Sequence, residues 1–218
     1  LEARGKKELL ELALETEIPT GKLAVTRQHS PLGLGHAVWC ARELVGNEPF
    51  AVILPDEIVL HSIGCLAQLM KIYEEKGGNM LALMEVPEAQ IKNYGIVAGQ
   101  MDENQIMKIT GMVEKPSPEN APSNLSITGR YILQPEIFDL LGQHKTGAGG
   151  EIQLTDAMQE LLKAQDFTGV RFDGKRYDCG HKMGFIEANI AFALDRPDMR
   201  GDVLALLENT LAQFRREN

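Results

Sequence analysis

The 218-residue chain is 44% hydrophobic and 24% charged, ordinary for a soluble globular protein and long enough for one sizeable domain or a domain with an appendage. Its formal net charge of −9 argues against general nucleic-acid binding, which needs a basic face, and leaves room for a local basic pocket. No apolar run approaches a membrane span and no signal-peptide pattern is present. Cys40, Cys65 and Cys179 make neither a C-x-x-C pair nor a disulfide framework, which points to a reducing cytoplasm.

Residues 1–15 read as an amphipathic surface helix, ended by Pro19 to Gly21. The chain opens at Leu1 in mid-helix, so a missing N-terminal part is expected. Residues 23–26 read as a short strand. Pro31 to Val38, P-L-G-L-G-H-A-V, then forms a glycine turn leading into a helix over residues 36–44. Gly33 and Gly35 permit positive φ or close backbone approach, and free N–H groups at such a turn suit an anion or a polar ring. A plain turn is the competing reading. A nicotinamide-dependent dehydrogenase is disfavoured, because Val38 stands where its fingerprint needs a third glycine.

The apolar run Ala51 to Leu54 reads as a strand buried on both faces, stopped by Pro55. Asp56 and Glu57 follow at its carboxyl end, where open α/β sheets bind ligands. Asp56 is either a turn cap or a ligand for a hard cation such as Mg2+. A helix over residues 63–76, with Leu66, Leu69, Met70 and Tyr73 inward, ends at Gly77-Gly78. With the strand over residues 80–86 this makes a βαβ unit, which implies parallel pairing.

Closely spaced strands then run from Tyr94 to Val113, with a hairpin turn over residues 101–104. V-E-K-P, residues 113–116, follows. Pro116 is expected to restrict Lys115 to extended geometry and end the ladder. Adjacent strand residues point to opposite faces, so only a twist lets Glu114 and Lys115 reach one ligand; the alternative is a solvated charge pair. A strand over residues 125–133, a helix over 135–141, a hinge-like loop over 146–150, an amphipathic helix over 151–164 and a strand over 167–172 come next. Asp178 precedes Cys179-Gly180 and either fixes a turn or joins the cation site. Helices over residues 183–194 and 202–216 close the chain.

Several of these stretches together resemble the bacterial UTP–glucose-1-phosphate uridylyltransferases, also called UDP-glucose pyrophosphorylases. They are L-G-L-G-H-A-V (32–38), A-V-I-L-P-D (51–56), Y-G-I-V (94–97), V-E-K-P (113–116), A-P-S-N-L-S-I-T-G-R-Y (121–131), G-A-G-G-E-I-Q-L-T-D-A (147–157) and D-C-G-H-K-M-G-F (178–185). V-E-K-P is shared by many sugar-phosphate nucleotidylyltransferases; G-E-I-Q-L-T-D-A with D-C-G-x-K is more particular. The resemblance implies a three-layer α/β nucleotide-diphospho-sugar transferase fold, Rossmann-like, with a mainly parallel mixed central sheet. It implies a catalytic domain over residues 1–200, in a homodimer or homotetramer; the broad apolar face of the C-terminal helix over 201–218 would dock on the domain or on another subunit.

It also implies UTP and α-D-glucose 1-phosphate as substrates and UDP-glucose and pyrophosphate as products. The sugar phosphate would attack the α-phosphorus in line, with Mg2+ assisting. Gln28 and Gly33 would contact uracil, and Gly95 would bring backbone to the sugar. Glu114 would accept from glucose hydroxyls, Lys115 would pair with the sugar phosphate, and Glu151 would lie beside the glucose site. Asp56 would bind Mg2+, and Asp178 would be a second metal ligand or sit close to it. The family's opening G-x-G-T-R loop and following P-K are absent from these residues, so a molecule starting at Leu1 would be inactive. A sister enzyme using dTTP and an inactive sugar-nucleotide-binding fragment are the alternatives.

Overall fold

A computed structural model describes residues 5–217. Residues 1–4 of the expected first helix lie outside the described residues; its remainder is α1 (Lys7–Glu15).

The six-stranded sheet has the order β1 (Phe50–Ile53), β6 (Leu125–Leu133), β3 (Asn79–Glu85), β7 (Phe167–Arg171), β5 (Ile106–Glu114) and β4 (Gly95–Met101). β3 lies at its centre and is apolar on both faces. Leu81 and Leu83 project into one core, with Val97, Leu133, Ile137, Leu154 and Phe167. Met80 and Ala82 project into the other, with Cys65, Leu69, Ile132 and Val170. Successive side chains alternate between faces, so a continuous apolar run supplies both cores. α4 (Cys65–Lys76) covers the second face. α2 (Leu34–Trp39), α5 (Ile137–Leu141) and α6 (Leu154–Leu161) cover the first. The three layers and mixed sheet match the expectation.

The balance of strand directions does not. Only β3 and β7 pair in parallel among the described residues; β1–β6, β6–β3, β7–β5 and β5–β4 are antiparallel. β1 and β3 do run in the same direction, as a βαβ unit requires, but β6 is inserted between them and pairs antiparallel to both. A strand arriving later in the chain cannot be read from the spacing of two earlier ones. β1 is correspondingly an edge strand among the described residues, with alternating exposure and Ile53 52% exposed. The strand buried on both faces is β3.

Local chemistry accounts for several boundaries. Asp102 Oδ1 accepts the N–H groups of Asn104 and Ile106 at 2.9 and 2.8 Å. This closes the β4–β5 hairpin as an aspartate-anchored turn. Residues 23–26, expected as a strand, form none: Leu23 and Val25 are exposed and no ladder partner faces them among the described residues. The helix expected over 36–44 is divided into α2 and α3 (Arg42–Val45). The amphipathic helix begins at Leu154 and leaves Glu151 extended, with φ −98° and ψ 154°.

A second, two-stranded sheet pairs β2 (Glu57–Leu60) with β8 (Lys175–Asp178), antiparallel, and α7 (Lys182–Asp195) packs on it. Its register sets Glu57 opposite Asp178. α8 (Arg200–Glu217) follows, with no buried residue.

Phe167 is fully buried where β7 lies between β3 and β5. Phe167→Ala is expected to lower unfolding stability by roughly 3–5 kcal/mol through lost burial and a residual cavity. Urea denaturation would check this; a loss below about 1 kcal/mol would place Phe167 outside a close-packed core.

Candidate active site

The elements converge on an open cleft of about 330 Å3. Its lining includes Asp56, Gly95, Glu114, Lys115, Glu151 and Asp178, brought together from stretches far apart in the chain. Gln28 and Gly33 lie outside that lining, although Leu34 borders it. The Gln28 amide donates to the Gly33 carbonyl at 3.0 Å and meets His36 Nδ1 at 2.9 Å, so those residues form a neighbouring cluster.

The glycine turn explains how Glu151 reaches the cleft. Gly35 N–H donates to Ile152 O at 2.9 Å, and Ile152 N–H donates to Leu32 O at 2.7 Å. Gly33 has φ +104°, and a Cβ there would stand 2.7 Å from Glu151 Cβ. The close approach made by Gly33 is therefore to the chain's own 151–152 segment, and it seats Glu151 at the rim.

Glu114 ends β5, with its side chain 11% exposed, and Lys115 Nζ stands 3.5 Å from Glu114 Oε1. Lys115 has φ +46° and its N–H donates to Tyr94 O at 3.0 Å. This corrects the expectation of extended geometry before Pro116. Left-handed backbone interrupts the strand alternation, which lets two adjacent side chains serve one cleft. With 44% of its side chain exposed, the ammonium is not committed to Glu114; a solvated pair of this kind contributes little to stability.

Gly95 pairs with Glu114 across β4 and β5. A Cβ on it would lie 2.9 Å from Thr155 Oγ1 and 3.2 Å from Glu114 Oε2. The missing side chain thus leaves a recess walled by a hydroxyl, a carboxylate and the Ile127 Cδ1 methyl, itself 3.2 Å from where a Cβ would stand. Thr155 escaped the sequence reading although it lies inside the Q-L-T-D stretch. Tyr131 also lines the cleft. Burial, and then the carboxylates of Glu57 and Glu114, push its phenol up, so it remains a neutral hydroxyl. Asp156, next to Thr155, is likewise raised from its ordinary value by burial and then by Glu114.

Asp56 and Asp178 meet at Gly180. A Cβ on that glycine would stand 3.0 Å from Asp178 Oδ1 and 3.2 Å from Asp56 Oδ2, and Cys179 N–H donates to Asp56 O at 2.7 Å. Two hard carboxylate oxygens therefore flank one small volume at the cleft edge. Among the described residues no group of three or more His, Cys, Asp or Glu side chains could hold a metal. A cation here would take further oxygens from substrate or water, the usual habit of Mg2+.

Beneath the cleft lies a buried ionic network missed by the sequence reading. Arg176, 7% exposed, donates from Nε to Glu57 Oε2 at 2.8 Å and from Nη1 to the Tyr94 hydroxyl at 3.1 Å. Gly129 N–H donates to the same Glu57 oxygen at 3.0 Å. Burial lowers the Arg176 pKa, but the hydrogen bond and charge of Glu57 outweigh it and the net shift is upward. Arg130 donates to the carbonyls of Leu54, Gly129 and Glu57 at 2.9, 2.8 and 2.6 Å, bracketing the loop that carries Asp56. The signal in the sequence was faint: arginines within T-G-R-Y and K-R-Y-D, with Glu57, the buried carboxylate partner of Arg176, far away in the chain.

Comparison with known proteins gives a consistent picture. The nucleotidyl transferase family matches residues 4–193. The chain is 44% identical over 211 residues to a UTP–glucose-1-phosphate uridylyltransferase of Bacillus subtilis (strain 168), covering 97% of this chain and 72% of that protein. It is similar to a crystal structure of UDP-glucose pyrophosphorylase complexed with UDP-glucose, with TM-score 0.76 and 42% identity over 79% of this chain and 66% of that one. It is also similar to a UTP-bound UGPase from Acinetobacter baumannii, with TM-score 0.79 and 36% identity over 94% and 72% of the two chains.

The left-handed backbone at Lys115 gives a direct test of the cleft geometry. Lys115→Gly is expected to be more stable than Lys115→Ala by about 1 kcal/mol, because only the alanine retains a Cβ in that conformation. Equilibrium unfolding of the two variants would measure the difference; an alanine variant at least as stable would contradict the positive φ.

Proposed function

The chain belongs to the nucleotidyl transferase family, among its UTP–glucose-1-phosphate uridylyltransferases, and from that premise we propose that the cleft joins UTP and α-D-glucose 1-phosphate into UDP-glucose and pyrophosphate. The carrying observation is the convergence of Asp56, Gly95, Glu114, Lys115, Glu151 and Asp178 on one cleft. Each supplies the kind of group that a sugar phosphate or a metal-bound phosphate needs.

In this reading a sugar-phosphate oxygen attacks the α-phosphorus of UTP. A new P–O bond forms as the bond to the leaving pyrophosphate breaks. The substrate is its own nucleophile, so the protein's contribution is alignment and charge neutralisation. Glu114 and the backbone at Gly95 receive the hexose, with the half-buried carboxylate accepting from sugar hydroxyls. Glu151 stands at the rim beside them. Lys115 exchanges its exposed contact with Glu114 for the sugar phosphate. Gln28 and Gly33 contribute to the uracil side through the cluster bordering Leu34.

Asp56 and Asp178 would hold Mg2+. Bound there, Mg2+ would neutralise phosphate charge and help align the reacting groups. Support for this pair comes from the two hard oxygens flanking Gly180.

We extend the proposal to setting and assembly. Three free cysteines suit a cytoplasmic location, and no described helix is long and apolar enough to cross a membrane. The exposed apolar side chains Met183, Phe185, Leu206 and Leu211 on α7 and α8 favour a homodimer or homotetramer.

Kinetics in the full-length protein separate the two roles in V-E-K-P. Lys115→Ala is expected to lower kcat by roughly 10²-fold, as loss of one charge-stabilising contact does, with an unchanged melting temperature. Glu114→Ala is expected chiefly to raise KM for glucose 1-phosphate. Near-normal turnover in a stable Lys115→Ala protein would assign the phosphate contact elsewhere. Higher kcat/KM with dTTP than with UTP would overturn the uridylyl assignment.

A further inference from the structure

The two carboxylate oxygens of Asp178 have different surroundings. Oδ2 accepts from Arg176 Nη2 and from the Tyr94 hydroxyl, each at 3.4 Å, and His181 Nε2 stands 3.8 Å away. Oδ1 accepts the Gly180 N–H at 3.0 Å and lies on the side where Asp56 Oδ2 approaches the same glycine.

Arg176 has little freedom to change this arrangement. Its Nε is held by Glu57, its Nη1 by Tyr94, and its guanidinium carbon lies 4.8 Å from the Tyr94 ring centroid. Glu57 is in turn fixed by the Gly129 N–H of β6. A chain of polar contacts therefore runs from the central sheet through Glu57 and Arg176 to Asp178. The planar fork of arginine can serve several acceptors at fixed angles; the single ammonium of lysine cannot reproduce that geometry.

Charge leads to the same conclusion. Asp56, Glu57 and Asp178 crowd one end of β2 and β8. Without a standing positive charge their mutual repulsion would splay the two cleft carboxylates. Arg176 supplies that charge from below the cleft, with only 7% of its side chain exposed.

We propose that Arg176, locked by Glu57, is a positioning residue for the cation site: it engages Oδ2 of Asp178 and turns Oδ1 toward Asp56. This rests on the reading of Asp56 and Asp178 as the Mg2+ ligands. Partners that orient ligating groups commonly control metal affinity by about 10–100-fold, which sets the size of the expected effect.

The test uses Mn2+ as the probe, with its binding to the full-length protein in the presence of UDP-glucose followed by electron paramagnetic resonance. Arg176→Ala would leave the buried Glu57 with the Gly129 N–H but no counter-charge, so two gentler variants are used. Arg176→Lys keeps a charge for Glu57, and the double variant Glu57→Gln/Arg176→Met removes both charges together. Each is expected to weaken Mn2+ binding by roughly tenfold while retaining a cooperative melting transition and UDP-glucose binding. Mn2+ affinity within twofold of wild type in both, while Asp178→Asn loses binding, would overturn the positioning role and leave the metal reading intact. Unchanged Mn2+ affinity in Asp178→Asn would overturn the metal reading and the positioning role with it.

Discussion

The buried Glu57–Arg176 ion pair is the interaction on which the cleft depends. A charge pair removed from water is seldom a net source of stability, because desolvation offsets the attraction; breaking it from one side is nevertheless costly, roughly 3–5 kcal/mol. That asymmetry suits a structural clamp. Once Glu57 and Arg176 are sealed beneath the sheet edge, each enforces the placement of the other. The surroundings of Asp178 follow from that placement. Arg130 does related work on the opposite side, gathering the carbonyls of Leu54, Gly129 and Glu57 and thereby setting the turn at Asp56. Exposed Asp56 carries little packing of its own, so its position is determined by backbone held from below.

The wall that faces the hexose in the proposed function is built differently, by omission and strain. Gly95 leaves room for Thr155 and Glu114 to approach one recess, and Gly33 allows the 151–152 segment to lie against the turn. Lys115 occupies a conformation that L-residues rarely adopt. The arrangement is maintained by the β4–β5 ladder on one side and by buried Pro116 on the other. The cleft thus combines a buried ionic floor with a polar wall whose cationic side chain is 44% exposed.

Much of this was legible in the sequence, and what was hidden has identifiable physical causes. Runs such as Leu125 to Leu133 and Asn79 to Glu85 declare themselves as strands through composition and turn signals at their ends. Of the residues that the family resemblance singled out, Asp56, Gly95, Glu114, Lys115, Glu151 and Asp178 line the cleft, while Gln28 and Gly33 lie outside its lining. Neighbour relations in the sheet were not legible, because the insertion of β6 between β1 and β3 depends on long-range pairing that no local pattern encodes. The β2–β8 ladder was missed for the same reason: Glu57 to Leu60 is short and finds its partner more than a hundred residues later. Lys115 was misjudged because the usual restriction before proline was applied without the Tyr94 carbonyl that holds its N–H. Arg176 gave only a faint signal because, beyond nearby Asp178, its partners Glu57 and Tyr94 lie far away in the chain.

In the proposed function, Asp56 and Asp178 jointly present oxygens to a divalent cation beside the substrate phosphates. The most direct measurement is anomalous X-ray diffraction from crystals of the full-length protein grown with Mn2+ and UDP-glucose. A manganese peak within coordination distance of both Asp56 Oδ2 and Asp178 Oδ1, at about 2.0–2.3 Å for a hard divalent ion, is the predicted result. A peak bound to phosphate alone, or at carboxylates elsewhere in the cleft with Asp56 and Asp178 uninvolved, would contradict it.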